Sequence, residues 1–308
     1  YNSVKHAWAS HDSSGRFIHA IDIYSVNNAS IFRSDVVRDK HKNTWIAGCF
    51  SNTAFLQDTT FTWQMGTHHH PEIFLARLNK DLEVEWGGMI SSTVQDDLSG
   101  LLADQSGNLY ISAIHLGGIA FPPTVNFFDQ DTLQREAVFS SLTKLSPEGE
   151  VQWISEIEGT LSGVQGFIMG NDSLLYVTGR SFSDLLINGQ MVVERPESAS
   201  WVHYVVAFSQ DGQPVFAKFV DRKMWFYHVD VDVEGNKYFS GSFVDTLVLG
   251  QDTIIKPGTD NWFYVAAFDP QMEEALWYRT VRAHNSQSVN TLNIKCIDEG
   301  VFFASHGK

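Results

Sequence analysis

Apolar and polar positions alternate with a period of two over short runs along nearly the whole chain, and clusters of Gly, Asn, Asp and Ser interrupt these runs. No segment sustains a 3.6-residue apolar period, so the pattern predicts strands and little helix. The runs recur in a fixed order about every 61–67 residues, the mark of a repeat architecture. The first half of each repeat is strand, polar turn, and a strand carrying an aromatic and often a glycine. It is seen at Val36-Val37-Arg38-Asp39 to Gly48, Leu102-Ala103-Asp104 to Tyr110, Leu175 to Gly179, and most cleanly Val231 to Gly241. The second half is apolar strand, polar turn and aromatic strand: Phe74 to Trp86, Leu142 to Trp153, Val205 to Phe216 and Val265 to Trp277.

Four short strands per repeat, none able to bury both faces alone, predict an all-β fold, a β-propeller of four-stranded blades in one domain. Complete blades are expected over residues 30–91, 96–159, 163–221 and 225–283. Residues 5–23 match the second half of the repeat and residues 291–308 the first half. Joined, they make a composite fifth blade that closes the ring and removes exposed strand edges. The alternative is a segment of a longer propeller. The start at Tyr1, with neither Met nor an apolar leader, is read as processed or trimmed.

Composition narrows the function classes. The 308 residues are 43% hydrophobic and 13% aromatic, enough for a substantial core. Lys and Arg number 21 against 36 Asp and Glu, a formal charge of −15. That field repels phosphate backbones and argues against a nucleic-acid partner. No apolar run is long enough to span a membrane as a helix. Two cysteines, Cys49 and Cys296, are too few for a disulfide framework and are read as buried thiols, although ring closure would make a bridge conceivable.

The motif Asp-x-x-Gly-Asn-x-Tyr-x-x-Gly-x-Phe at Asp232 to Phe243, followed by an apolar strand, a turn and Trp277, resembles the bacterial β-propeller repeats called SBBP. The resemblance is strong over 229–277, good over 101–153, and degraded over 34–86 and 167–216, where Asn171-Asp172-Ser173-Leu174 replaces the Gly-Asn turn. It implies a propeller fold and a secreted or cell-surface address, often reached by type IX secretion, and no particular reaction.

Several residue sets carry possible chemistry. The Asp104 to Asn108 and Asp232 to Asn236 turns hold oxygens suited to calcium, but they are first of all tight-turn sequences. His68-His69-His70, with Glu72 nearby, offers at most two alternating imidazoles to one metal and reads as a polar loop; no cofactor is expected. Trp45, Trp86, Trp153, Trp277, Tyr110, Tyr176 and Tyr238 recur in register and belong to the core. Trp63, Trp201, Trp225 and Trp262 fall outside that register and are candidate ligand contacts, able to stack on a sugar or anchor a protein.

Residues at the starts of the inner strands would converge at one end of a propeller: Asp35, Asp96 or Asp97, Gln165, His228 or Asp230, and Asn293. Asp35, Asp97 and Asp230 are the candidate polar-ligand carboxylates; five-bladed glycosidases place acid, base or nucleophile there. No Ser-His-Asp or phosphate-loop signal is present. The sequons at Asn28-Ala29-Ser30 and Asn171-Asp172-Ser173 matter only in a eukaryotic secretory pathway.

The resulting expectation is a non-catalytic extracellular binding or scaffold module for a surface protein or glycan, either alone or as part of a larger chain or complex. A glycan-cleaving enzyme is the rival reading. Contacts are expected on the long connections 52–71, 116–136, 181–201 and 244–262, including the apolar Gly117 to Pro123 stretch.

Overall fold

The computed structural model describes residues 5–11, 14, 17–25, 31–51, 53–56, 59–62, 71–116, 124–127, 131–134, 138–197, 199–220, 224–243, 245–249, 252–255, 261–283, 289–297 and 300–307. Every regular element among them is a β-strand. The chain divides into two compact units, Tyr1–Glu158 and Gly159–Lys308.

The first unit contains β1 (Lys5–His11), β2 (Phe17–Ser25), β3 (Ile31–Arg38), β4 (Thr44–Phe50), β5 (Thr53–Leu56), β6 (Thr59–Thr62), β7 (Glu72–Leu78), β8 (Val84–Ser92), β9 (Gln95–Ala103), β10 (Leu109–Leu116), β11 (Thr124–Phe127), β12 (Asp131–Gln134), β13 (Phe139–Leu145) and the first half of β14 (Val151–Met169). Two antiparallel meanders emerge, β3-β4-β7-β8 and β9-β10-β13-β14. One hydrophobic cluster joins their faces, with Trp45, Ala47, Cys49, Ile73 and Leu75 from the first and Leu98, Leu109, Ile111 and Phe139 from the second.

In the second unit, the rest of β14 leads into β15 (Leu175–Ile187), β16 (Gln190–Val193), β17 (Val202–Phe208) and β18 (Pro214–Val220). Then come β19 (Met224–Val231), β20 (Lys237–Phe243), β21 (Thr246–Leu249), β22 (Asp252–Ile255), β23 (Asn261–Phe268), β24 (Ala275–Ala283), β25 (Val289–Ile297) and β26 (Gly300–Gly307). The meanders here are β14-β15-β17-β18 and β19-β20-β23-β24, and their shared core includes Tyr176, Val205, Ala207, Val231, Phe239 and Tyr264. The expected break near 159–163 is not a break in the strand: β14 continues through it, with Gly159 at φ 88°.

The four repeats thus fold as four equivalent meanders, and the expected terminal half-repeats fold as the hairpins β1–β2 and β25–β26. The long connections are themselves built as hairpins. β5–β6 adds to β2 through Tyr24↔Phe55, and β11–β12 adds to β8 through Asn126↔Ser91, so each extends the sheet edge of the preceding repeat. The third connection continues β15 and returns through β16, while β21–β22 forms a sheet of its own.

Local chemistry explains why the repeat keeps its residues. Asp39, Asp104 and Asp232 each accept the backbone N–H of the Asn four residues on, at 2.8–2.9 Å, while that Asn's Nδ2 donates to the other carboxylate oxygen. Tyr110 and Tyr238 donate to the same carboxylates at 3.2 and 2.9 Å. The oxygens a cation would need are therefore already engaged in the turn, as the turn reading expects. Gly107 and Gly235 occupy the left-handed region there, at φ 90° and 83°, whereas Lys42 and Ser173 must adopt it at 69° and 66° against the side-chain penalty.

The strand glycine has a different cause. Gly48, Gly179 and Gly241 lie directly opposite Phe74, Tyr204 and Tyr264 on the next strand. A Cβ at Gly179 would meet the Tyr204 ring and hydroxyl at 2.4–2.7 Å. In the second repeat the pair is Ala113 opposite Ser141, small against small. The register aromatics pair as expected: Trp45 with Trp86, Tyr110 with Trp153, and Tyr238 with Trp277, all with centroids 6.0 Å apart. Arg77 and Lys144 lie over Trp45 and Tyr110 in the first two repeats. Ala207 takes that register in the third, where Lys237 reaches in over Tyr176 and Phe216 at 5.3 and 4.8 Å instead.

Candidate functional site

Two clusters stand out, one in each unit. In the first unit β9, β10 and β13 align Asp96, His115 and Ser141. His115 Nδ1 is 2.6 Å from Asp96 Oδ1, and His115 Nε2 is 2.9 Å from Ser141 Oγ. This is the connectivity of a Ser-His-Asp array, assembled from residues 19 and 26 positions apart, which no local sequence pattern announces. Its setting argues for structure. All three side chains have zero exposure, and Phe127 and Phe139 pack on the imidazole with centroids 5.7 and 4.7 Å away.

Burial pushes the Asp96 carboxyl up to about 8 and the imidazole down to about 3, each toward its uncharged form. Ser92 Oγ donates to Asp96 at 2.9 Å, and Glu72 accepts the Ser92 N–H at 2.9 Å, which ties the network to the end of β8. Ser141 is wholly buried and hydrogen-bonded to His115, the setting of a structural hydroxyl.

The nominated carboxylates are also engaged. Asp35 accepts Val36 N–H at 2.8 Å and, from the next repeat 66 residues on, Leu101 N–H at 2.9 Å. Asp230 accepts Val231 N–H at 3.0 Å and Cys296 N–H, again 66 residues on, at 2.7 Å. Lys295 adds an ion pair to Asp230 at 3.2 Å. Asp97 pairs with Arg33 at 3.0 Å and accepts from the Cys49 thiol at 3.6 Å; burial raises its pKa, and Arg33 partly offsets the rise. Each of the three clasps one repeat to a neighbour.

The cysteines are both free and buried. Burial drives the Cys49 thiol far up and Cys296 to about 12, so neither is a thiolate at neutral pH.

The second unit holds the other cluster. Trp201, at the entry to β17, and Trp225, near the start of β19, meet edge to face with centroids 5.5 Å apart. The Arg180 guanidinium, on β15, lies 6.0 Å from the Trp201 centroid and 5.3 Å from that of Trp225. His203 backs both rings, at 5.2 and 6.0 Å. Gln165, in the amide orientation that satisfies both groups, accepts from Arg180 Nε and Nη2 at 3.1 and 3.2 Å. His203 is buried and held down to about 4 by desolvation and then by Arg180, so it is a neutral support behind the rings. Gln165 is exposed, and Arg180 and both tryptophans are half-buried.

The structure brings together two of the four nominated tryptophans and one nominated inner-strand residue. Trp262 is placed elsewhere, against Phe243 at 6.4 Å on the fringe of the core. His228 is half-buried on β19, its pKa lowered by desolvation. Trp63, His68 to His70, and Gly117 to Pro123 lie outside the described residues, as does the Asn293 side chain. Sequence reasoning passed over Arg180 and His203; the signal available was a cation replacing the small or apolar residue that follows the strand glycine in the other repeats. Among the described residues no three His, Cys, Asp or Glu side chains gather as a metal site, and no helix is long and apolar enough to cross a membrane. No protein-family model matches the chain, and no curated protein matches it significantly.

Proposed function

We propose that the chain is a β-propeller of about five four-stranded blades that serves as a non-catalytic binding module for a protein or glycan at the cell surface. Four meanders of one strand order support the propeller reading. So does a register shift in the first strands of three of them, between Phe32 and Ser34, Leu98 and Gly100, and Phe226 and His228, within one position of the same place. The extracellular address, and any type IX route, rest on the resemblance to SBBP repeats. A compact ring of 308 residues has a radius of gyration near 19 Å, so a solution scattering value well above about 22 Å would count against it.

The observation that carries the binding reading is the half-buried Trp201–Arg180–Trp225 group, where the entry to β17 and the start of β19 meet the middle of β15. Aromatic faces beside a polar group recognise ligands without needing a reactive centre. The nominated carboxylates, by contrast, are committed to backbone N–H groups and ion pairs. The test is a glycan and surface-protein binding screen run with a hydrolysis assay on the same glycans. Binding weakened by Trp225→Ala, with no turnover, is the expected result. Hydrolysis abolished by Asp97→Asn would replace this reading with the glycosidase one.

A further inference from the structure

We infer that Arg180, Trp201, Trp225 and Gln165 form a subsite for a single carboxylate-bearing sugar, a uronic or sialic acid unit on an otherwise neutral glycan. The inference rests on the binding reading above and specifies its ligand.

The argument begins with the state of Arg180. A guanidinium has five N–H donors, and Gln165 takes two of them. Among the described residues no Asp or Glu oxygen lies within ion-pair distance of it, whereas Arg33 and Arg77 are paired with Asp97 and Glu85. In a chain of formal charge −15, a cation left without a carboxylate among the described residues and packed against two indoles is positioned to receive one. The two hydrogen bonds to Gln165 and the contact with both rings restrain the guanidinium and so reduce the freedom lost when a bidentate partner arrives.

The indoles supply the second half of the recognition. A pyranose presents a C–H face that stacks on an aromatic ring, and an acidic sugar carries a planar carboxylate at one edge. Gln165 is exposed, and its outward NH2 can donate to a ring hydroxyl. The global charge selects among anions: a field of −15 repels polyanions, so one acidic unit is favoured over a polyuronate or a nucleic acid.

The experiment titrates the whole chain with a glucuronic-acid-terminated trisaccharide, its glucose-terminated counterpart, and a neutral peptide ending in a free carboxylate, read by tryptophan fluorescence and calorimetry. The acidic trisaccharide should bind at least tenfold tighter than the neutral one. Arg180→Gln should weaken it at least tenfold with little effect on the neutral sugar. Gln165→Leu, at an exposed position that leaves the core intact, should weaken it severalfold and keeps the test decisive if Arg180→Gln fails to fold. Equal binding of both trisaccharides, insensitive to Arg180 and Gln165, would overturn the inference and leave the binding module standing. Arg180-dependent capture of the peptide alone would overturn the sugar assignment. Failure of all three probes would overturn the subsite.

Discussion

Replacing Asp35 by alanine separates a structural carboxylate from a functional one. Its Oδ2 accepts the Leu101 N–H of the following repeat at 2.9 Å in a partly buried setting, and its Oδ1 accepts the exposed Val36 N–H at 2.8 Å. A hydrogen bond to a charged group contributes about 1.5–3 kcal/mol, and Leu101, only 8% exposed, offers its N–H little water in exchange. Val36 N–H can turn to solvent, so its loss adds about 0.5 kcal/mol. Asp35→Ala should therefore destabilise by about 2–3 kcal/mol. Asp35→Asn, which keeps one acceptor for Leu101, should cost about 1 kcal/mol. With a urea m-value near 3 kcal/mol/M, the alanine variant moves the unfolding midpoint down by about 0.7–1 M with m unchanged. The assay is urea unfolding followed by tryptophan fluorescence at pH 7. An unchanged midpoint in Asp35→Ala, accompanied by loss of ligand binding, would refute the clasp and return Asp35 to the ligand-contact role its sequence position suggested.

Gly241→Ala should prevent native folding, because its Cβ would fall 1.7 Å from the Trp225 carbonyl oxygen, a backbone atom that cannot step aside; a soluble variant with wild-type melting would contradict this. Ser173→Gly and Lys42→Gly, both at exposed turn positions with φ near 66–69°, should each raise stability by about 0.5–1 kcal/mol in the same urea assay. Tyr204→Phe removes a hydroxyl that is wholly buried and has no hydrogen-bond partner among the described residues, and should stabilise by about 1 kcal/mol. The His203 pKa is lowered to about 4 in the folded chain, so between pH 6.5 and 4 the unfolded chain binds the extra proton. Stability is thus fully present above about 6.5 and falls by up to about 3 kcal/mol as pH drops to 4, a slope that His203→Gln should flatten in unfolding curves taken at several pH values.

The strand content and the repeat were legible because both are written in local periodicity: alternation names the strands, and Asp-x-x-Gly-Asn names the turns. The core aromatics were legible for the same reason, since Trp45, Tyr110, Tyr176 and Tyr238 recur in register. The partners of the carboxylates were not legible, because sequence places Asp35 and Asp230 on the first strands of their repeats but does not show that a neighbouring strand offers each a backbone N–H. The Asp96–His115–Ser141 line escaped notice for a related reason: its members are adjacent across three strands and distant along the chain. Half of the candidate ligand cluster, Trp201 and Trp225, was visible as aromatics out of register. Arg180 was hidden by its place inside an otherwise ordinary strand.

That place has a logic the repeats share. The residue after the strand glycine, or after Ala113 in the second repeat, is Cys49, Ile114, Arg180 and Ser242 in turn. Cys49 reaches Asp97 in the following repeat, and Arg180 reaches Trp225 in the following repeat. Asp97 and Trp225 are themselves equivalent, lying opposite Ile114 and Ser242 in their own sheets. So Cys49–Asp97 and Arg180–Trp225 are the same junction filled twice. The glycine beside it is fixed by the ring packed opposite, and the turn Asp by its Asn, but this pair answers to neither constraint. In the first unit the junction holds a thiol against a carboxylate already neutralised by Arg33. In the second it holds a guanidinium with no carboxylate partner among the described residues, packed against two indoles. A repeat protein acquires a binding site most cheaply by changing residues at such a position, because the strands, turns and core on either side need not change with it.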